Sequence, residues 1–373
     1  MGTETAALSA DLSAPIATMA AVVKTAPGAG NVTFMRVPEP QCGPGKVKIE
    51  VAFSGICGTD LHVYHDRFRN YPPVILGHEF SGVVTEVGAG VHSVHPGDRV
   101  TVLPASAVIC GSCEYCRQGY YMFCPVRRGM GHGVNGSFTR FVVVREDQVY
   151  RLPPGLSLEE GALAEPLASA VQAVEELGEF RTGDTVLISG PGPIGLLCLL
   201  LLRHRTRTIV AGTASDVARL QLAGELGADV LVDVSREDLL AVVDRKTGGR
   251  GVDGALECAG AAASVTNCLQ ALGKLGRYVQ LGIVGAEITV PFDLLLYKQI
   301  RLWGSVGYSA RTWVRVMQIL GQNKLDLSRL VTHKLPLSQW REGFDLCESK
   351  QAVKVLLYYD ETGRQSCLSN RGQ

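Results

Sequence analysis

The chain has 373 residues, 36 basic against 36 acidic, and 46% of them are hydrophobic. That length is too great for one small core and leads to an expectation of two domains. The even charge argues against a nucleic-acid or anionic-membrane surface as the main partner. The longest apolar run, "IGLLCLLLL" at 194–202, falls well short of the roughly 20 residues a bilayer span requires.

The start, "MGTETAALSADLSAPIATMAAVV", has acidic residues where a secretory signal needs positive charge, and a proline interrupts its apolar part. Residues 1–19 therefore read as a loose leader of a cytoplasmic protein. The part that follows is β-rich. "KVKIEVAFSG" (46–55) and "FSGVVTEVG" (80–88) are β-branched runs ending in glycine, and "FTRFVVVRED" (138–147) alternates before breaking into charge. Gly-Pro, Pro-Gly and Pro-Pro pairs punctuate them as turns, which suggests a compact barrel or sandwich.

Near Pro166 the rhythm changes. "LASAVQAVEEL" (167–177) has helical spacing, "DTVLISG" (184–190) is a buried-type strand, and a glycine loop leads into an apolar helix through about Arg203. "TIVAGT" (208–213), "DVLVDV" (229–234), "GVDGALECAG" (251–260) and "LGRYVQLGIVG" (275–285) continue as strands, with "RLQLAGELGA" (219–228) a helix among them. Buried strands alternating with helices are the pattern of a doubly wound parallel sheet. After about 308 that alternation stops: "WVRVMQILGQ" (313–322) reads as a helix and "AVKVLLYY" (352–359) as a closing strand. The tail from Asp360 is polar.

"GPGPIG" places Gly190, Gly192 and Gly195 in G-x-G-x-x-G register after a strand and at the start of a helix, with Pro193 and Ile194 between them. The first glycine permits the tight turn, the second lets backbone approach a pyrophosphate, and the third allows close strand–helix packing. In that setting the loop reads as a dinucleotide site. An NAD-selective site wants a carboxylate at the end of the second strand, where this chain has Gly212 and Thr213, with Asp216 late. Arg219 could approach a 2′-phosphate; alternatively Asp216 reaches back and NAD is used. NAD and NADP both stay open.

Eleven cysteines in a chain lacking an export signal are expected to be reduced thiols or metal ligands. "CGSCEYCRQGYYMFC" gives Cys110, Cys113, Cys116 and Cys124, a set of four thiolates suited to closed, structural zinc. A second group is dispersed. "GICGTDLHVY" contains Cys57, Thr59 and His62; "PPVILGHEFSGVV" contains His78 and Glu79; "ALAEPLASA" presents Glu165 where the cofactor domain begins. Adjacent strand residues face opposite ways, so His78 and Glu79 share one ion only if the chain bends, which Gly77 permits. Cys57, His78 and one or two carboxylates make a plausible mixed S/N/O site with a position left for substrate. A nucleophilic Cys57 with His62 as base would leave the dinucleotide loop and Glu165 unexplained.

Taken together, "GICGTDLH", "GHEFSGVV", the four-cysteine loop, "EPLA" and "GPGPIG", in this order, resemble the zinc-dependent medium-chain dehydrogenases/reductases. The resemblance runs from about Ala20 to Tyr359 and is nearest to the sorbitol-type polyol and L-threonine dehydrogenases, because "AEPLA" carries glutamate where simple alcohol dehydrogenases have cysteine. It implies an α/β protein in which a chaperonin-10-like β-barrel domain (20–165 and 308–359) is interrupted by a Rossmann domain (166–307), with a polar tail at 360–373. It further implies two zinc ions per chain and NAD or NADP. Cys57, His78 and Glu79 fall on the catalytic zinc ligands, with Glu165 direct or through water; Glu79 and Glu165 can exchange roles. Thr59 matches the hydroxyl that touches the substrate oxygen, and His62 the outer end of a proton relay. The expected reaction oxidises a secondary alcohol, a polyol or vicinal diol, to the ketone by hydride transfer. L-threonine is an alternative substrate, and a homodimer or homotetramer is expected. A catalytically silent dinucleotide-binding protein is the competing class. The segments 65–73 and 130–136 read as lid-like, without a legible substrate code.

Overall fold

The computed structural model describes residues 17–360. Most of the proposed leader and all of the tail after Asp360 lie outside the described residues. The leader is shorter than expected, because β1 (Thr18–Lys24) already pairs antiparallel with β2 (Val32–Pro38). A barrel-like unit follows from β3 (Lys46–Gly55), β4 (Val74–Ile75), β5 (Glu79–Val87), β6 (Arg99–Val102), β7 (Phe141–Arg145) and β8 (Val149–Arg151). β3 is central: it pairs antiparallel with β5 on one side and β7 on the other. Its β-branched Val47, Ile49 and Val51 join Phe80, Val84, Val100 and Val142 in a valine-rich core.

Four helices belong to this part of the chain: α1 (Gly58–Tyr64), α2 (Glu114–Arg117), α3 (Leu158–Gly161) and α4 (Ala164–Val171). Almost every residue of α4 is buried, and six residues of π-helix, Gln172–Leu177, continue it. The expected helix at 167–177 is therefore present, but it begins earlier and widens at its end.

The second sheet contains β9 (Thr185–Ser189), β10 (Arg207–Gly212), β11 (Val230–Asp233), β12 (Val252–Glu257), β13 (Leu272–Gln280) and β14 (Arg301–Gly304). All five pairings are parallel, and the spatial order is β11-β10-β9-β12-β13-β14. This is the doubly wound order whose topological switch point lies between the first and fourth strands, β9 and β12. The intervening helices are α5 (Pro193–Leu202), α6 (Val217–Glu225), α7 (Leu239–Thr247), α8 (Ala262–Ala271) and α9 (Asp293–Tyr297). α5, "PIGLLCLLLL", is apolar on all sides because it is packed on all sides, with α4 covering the face turned away from the sheet.

The chain then forms α10 (Ala310–Gly321) and returns to the barrel unit. β15 (Val331–Pro336) and β16 (Lys354–Tyr358), with α11 (Trp340–Glu348) between them, join the sheet where β16 pairs with β3. α10 packs on α4 through Trp313, which is fully buried. Its ring contacts Tyr150 at 5.9 Å and Tyr308 at 5.4 Å, and truncation of such a tryptophan costs about 3–5 kcal/mol. No helix among the described residues is long and apolar enough to cross a membrane.

Candidate metal and cofactor site

Cys57 ends β3's excursion and forms the N-cap of α1 in extended conformation. His78 follows Gly77, whose φ of +89° makes the bend that the adjacent histidine and glutamate require. A side chain at Gly77 would also run into the Phe138 ring. As a result one ligand atom from each of Cys57, His78 and Glu79 lies within 4.8 Å of the others. Glu165, at the buried start of α4, stands outside that tight group and accepts a hydrogen bond from the Tyr308 hydroxyl at 3.0 Å. Thr59 and His62 lie one turn apart on α1, both half-buried; among the described residues no hydrogen bond joins them.

Two residues that the sequence reading passed over organise this centre. The buried Asp60 accepts from Cys57 N at 2.9 Å and Gly77 N at 3.2 Å, tying the two ligand-bearing segments together. Its Oδ1 also faces His78 Nδ1 at 3.6 Å, longer than a hydrogen bond, so that contact is electrostatic. Lys354, in the strand read only as a closing element, donates to Glu79 Oε2 at 2.6 Å and to the Ile56 carbonyl at 3.0 Å. A lysine inside the apolar "AVKVLLYY" was the available signal, since a buried ammonium requires a partner.

The electrostatics describe a site built for a cation. Burial pushes the Cys57 thiol up, and the Glu79 carboxylate pushes it the same way. Burial likewise lifts Glu165 to about 7, with Glu79 adding to the rise. Burial alone would lower His78, yet Asp60 and Cys57 hold it well above its ordinary value. A thiol and two carboxylates thus crowd together in a dry place, faced by Lys354 at Glu79 and by Arg127 near Glu165. The S, N and O donors fit a divalent ion of zinc's ligand preference.

The four cysteines also converge, all within 4.8 Å of one another and unpaired as disulfides. Backbone N–H groups point at their sulfurs: Cys113 N to Cys110 Sγ at 3.3 Å, Cys116 N to Cys113 Sγ at 3.4 Å and Cys110 N to Cys124 Sγ at 3.4 Å. The Cys113 N–H, with the N–H and hydroxyl of Ser112, draws Cys110 down to about 6, while burial sends Cys116 up to about 12. A closed set of thiolates leaves no place for substrate.

The glycine loop has the geometry its spacing implies. Gly190 has φ +101°, and a Cβ there would strike the backbone of Ala259 at 2.7 Å. A Cβ on Gly195 would lie 2.0 Å from the Gly190 carbonyl, so the helix can approach the strand only without one. Gly192, the N-cap of α5 before Pro193 and Ile194, faces open space, as a phosphate-facing position should. Thr213 is exposed at the end of β10, whereas the Arg219 guanidinium is engaged elsewhere, donating to the Ala352 carbonyl at 2.6 Å and facing Asp216 at 3.7 Å. The expected approach of Arg219 to a 2′-phosphate therefore gives way to a strut between the two units. The two lid-like segments meet: Tyr71 N donates to the His132 carbonyl at 2.8 Å, and Phe68 contacts the His132 ring at 5.1 Å.

Comparison with known proteins agrees with this architecture. Residues 43–154 match the alcohol dehydrogenase GroES-like domain, in keeping with a chaperonin-10-like unit, and residues 193–322 match the zinc-binding dehydrogenase domain. The chain is 38% identical to D-arabitol-phosphate dehydrogenase of Enterococcus avium, covering 91% of this chain and 97% of that one. It is 37% identical to sorbitol dehydrogenase of Halalkalibacterium halodurans, covering 91% and 99%. The crystal structure of 2R,3R-butanediol dehydrogenase from Bacillus subtilis superposes with a TM-score of 0.83 at 31% identity, covering 92% and 100%. On its two matched domains, its fold and its donor set, the chain belongs to the zinc-dependent medium-chain dehydrogenases and is an NAD(P)-dependent alcohol dehydrogenase.

Proposed function

We propose that the protein oxidises a secondary hydroxyl of a polyol or vicinal diol to the ketone, as the names of its relatives indicate, with zinc at Cys57, His78 and Glu79. The observation that carries this reading is the convergence of Cys57 with the adjacent pair His78 and Glu79 from two separate segments of the barrel unit, with Glu165 on α4 nearby. Zinc supplies Lewis acidity toward the alcohol oxygen, and NAD(P) accepts the hydride.

The chain's own groups do the rest. Asp60 faces one nitrogen of His78 and so fixes the ring, the role of an outer carboxylate toward a metal-binding histidine. Lys354 holds one oxygen of Glu79, leaving the other for the ion or a water. Thr59 accepts and passes on the hydroxyl proton, and the half-buried imidazole of His62, one turn further along α1, carries it outward. Gly190, Gly192, Pro193, Ile194, Gly195 and Thr213 receive the dinucleotide. The division at 20–165, 166–307 and 308–359 is part of this proposal, supported by the all-parallel sheet β9–β14 lying between the antiparallel strands before it and the return of β16 to β3. Cys110, Cys113, Cys116 and Cys124 hold a second, structural zinc.

Arg127 favours a second reading, in which the polyol carries a phosphate, as the name of the Enterococcus avium relative indicates. Its guanidinium donates through Nε to the Ala105 carbonyl at 3.2 Å and makes no ion pair among the described residues. It lies close enough to Glu165 and Tyr308 to feel their charge. A Cβ on Gly129 would touch both Arg127 Nη2 and His132 Nε2, so the two donors flank one point.

The chain is proposed to pair with a second copy along β14. That edge strand is exposed throughout, and Leu302, Trp303, Leu296, Tyr297 and Phe292 form an apolar strip around it. The unpaired state of the ten described cysteines supports a cytoplasmic location.

The test is an assay panel of free polyols, phosphorylated polyols, vicinal diols and L-threonine with each dinucleotide, alongside zinc stoichiometry. Turnover of a polyol or diol with about two zinc ions per chain supports the reading. Dinucleotide binding with no turnover of any alcohol and a single zinc rejects it in favour of a silent binding protein.

A further inference from the structure

The end of β10 lies against the glycine loop, and the role inferred for it rests on the dinucleotide-binding reading. Gly212, the last residue of β10, stands against the loop, since a Cβ there would meet Pro191 Cγ at 2.9 Å. Whatever follows Gly212 therefore borders the dinucleotide. In an NAD-selective site a carboxylate stands here to accept the ribose hydroxyls. This chain has Thr213, Ala214 and Ser215, all exposed.

The one nearby carboxylate on this turn, Asp216, is 5% exposed and faces inward. Its Oδ2 accepts from Thr213 N at 3.1 Å, from Thr213 Oγ1 at 2.8 Å and from Lys350 Nζ at 3.2 Å. Its Oδ1 faces Arg219 at 3.7 Å. Asp216 thus caps its own turn and has little capacity left for a ribose. The carboxylate of the next strand, Asp233, is likewise engaged, by Ser235 N at 2.9 Å and Arg236 at 3.4 Å.

What faces outward is a polar cluster in which the Thr213 proton is already given to Asp216, leaving the Ser215 hydroxyl and the Lys350 ammonium to donate. Thr213 Oγ1 and Ser215 Oγ are 2.8 Å apart, and Lys350 Nζ lies 3.1 Å from Ser215 Oγ. Lys350 arrives from the other unit, just past α11, with φ +61° and a side chain 41% exposed. Asp216, Lys350 and Arg219 together carry one net positive charge. A bare 2′-hydroxyl makes no ion pair there, whereas a 2′-phosphate brings a dianion to the Ser215 hydroxyl and the Lys350 ammonium.

We propose that the protein selects NADP over NAD, with Ser215 and Lys350 receiving the 2′-phosphate and Thr213 bordering it. Lys350, the specificity-determining residue, is delivered across the interface between the two units. Arg219, bonded to the Ala352 carbonyl two residues on, positions that segment.

Fluorescence titration with NADPH and NADH, and calorimetry with 2′,5′-ADP against 5′-AMP, test this without turnover. The wild type is expected to bind NADPH and 2′,5′-ADP at least about tenfold more tightly than NADH and 5′-AMP. Lys350→Ala should weaken NADPH by roughly 10- to 100-fold, leave NADH within about twofold, and keep its melting temperature. Lys350→Arg should retain the preference, and Ser215→Asp should reverse it. Equal binding of the two cofactors by the wild type, or a Lys350→Ala loss shared equally by both, would overturn the proposal while leaving dinucleotide binding intact. Failure of either cofactor to bind would overturn the underlying reading of the loop.

Discussion

Lys354 gives the most direct test of how the metal centre is held. Lys354→Met keeps the length and most of the volume of the side chain, so the change is one of charge and not of cavity. It leaves Glu79, 1% exposed at its side chain, without the ammonium 2.6 Å away, and it strands the Ile56 carbonyl. Breaking one side of a buried pair costs about 3–5 kcal/mol, against at most about 1 kcal/mol for a surface pair. The lost bond to Ile56 falls within that range and adds about 1 kcal/mol of it. Urea unfolding of EDTA-treated protein, followed by circular dichroism, reads the cost without the ion. The double variant Lys354→Met/Glu79→Gln removes the stranded charge and should recover about half of the loss or more. A single-variant loss under about 1 kcal/mol, or a double variant no better than the single, would refute the argument that Lys354 balances Glu79.

The remaining predictions concern the zincs, the loop and the edge strand. Cys57→Ser should abolish turnover and remove about one zinc per chain while leaving dinucleotide binding nearly unchanged; wild-type-like turnover would sink the assignment of that ligand. Cys113→Ser should also lose about one zinc, and its main effect should be a lower melting temperature, so lost activity at full stability and full metal content would show the cluster is not structural. Gly195→Ala drives a methyl toward a carbonyl 2.0 Å away, so it should cost about 1–3 kcal/mol and abolish dinucleotide binding, whereas Gly192→Ala, facing open space, should keep stability and lose affinity only. Trp303→Glu on the exposed edge should yield monomers in sedimentation velocity, and an unchanged sedimentation coefficient would remove β14 as the dimer contact.

Local pattern made much of this protein legible from its residues alone. The strands at 46–55 and 184–190 were clear because β-branched runs bounded by glycine have few other uses, and the loop at 190–195 because each of its glycines meets a distinct steric demand. The four cysteines were clear for a similar reason, since ligands two residues apart reach one ion through short chain segments. Strand β14 was missed, because an exposed edge has no buried periodicity to read, as were β1 and β15, which take their register from distant partners. Only the folded chain brought Cys57 to His78 and Glu79, because two separate segments must close on one point and sequence separation says nothing of that. It also turned Asp216 inward, turned Arg219 into a strut and brought Lys350 and Lys354 in from the C-terminal part of the chain. A charge's role depends on which opposite charge it meets at close range in a place water does not screen, and that is a property of three-dimensional packing alone.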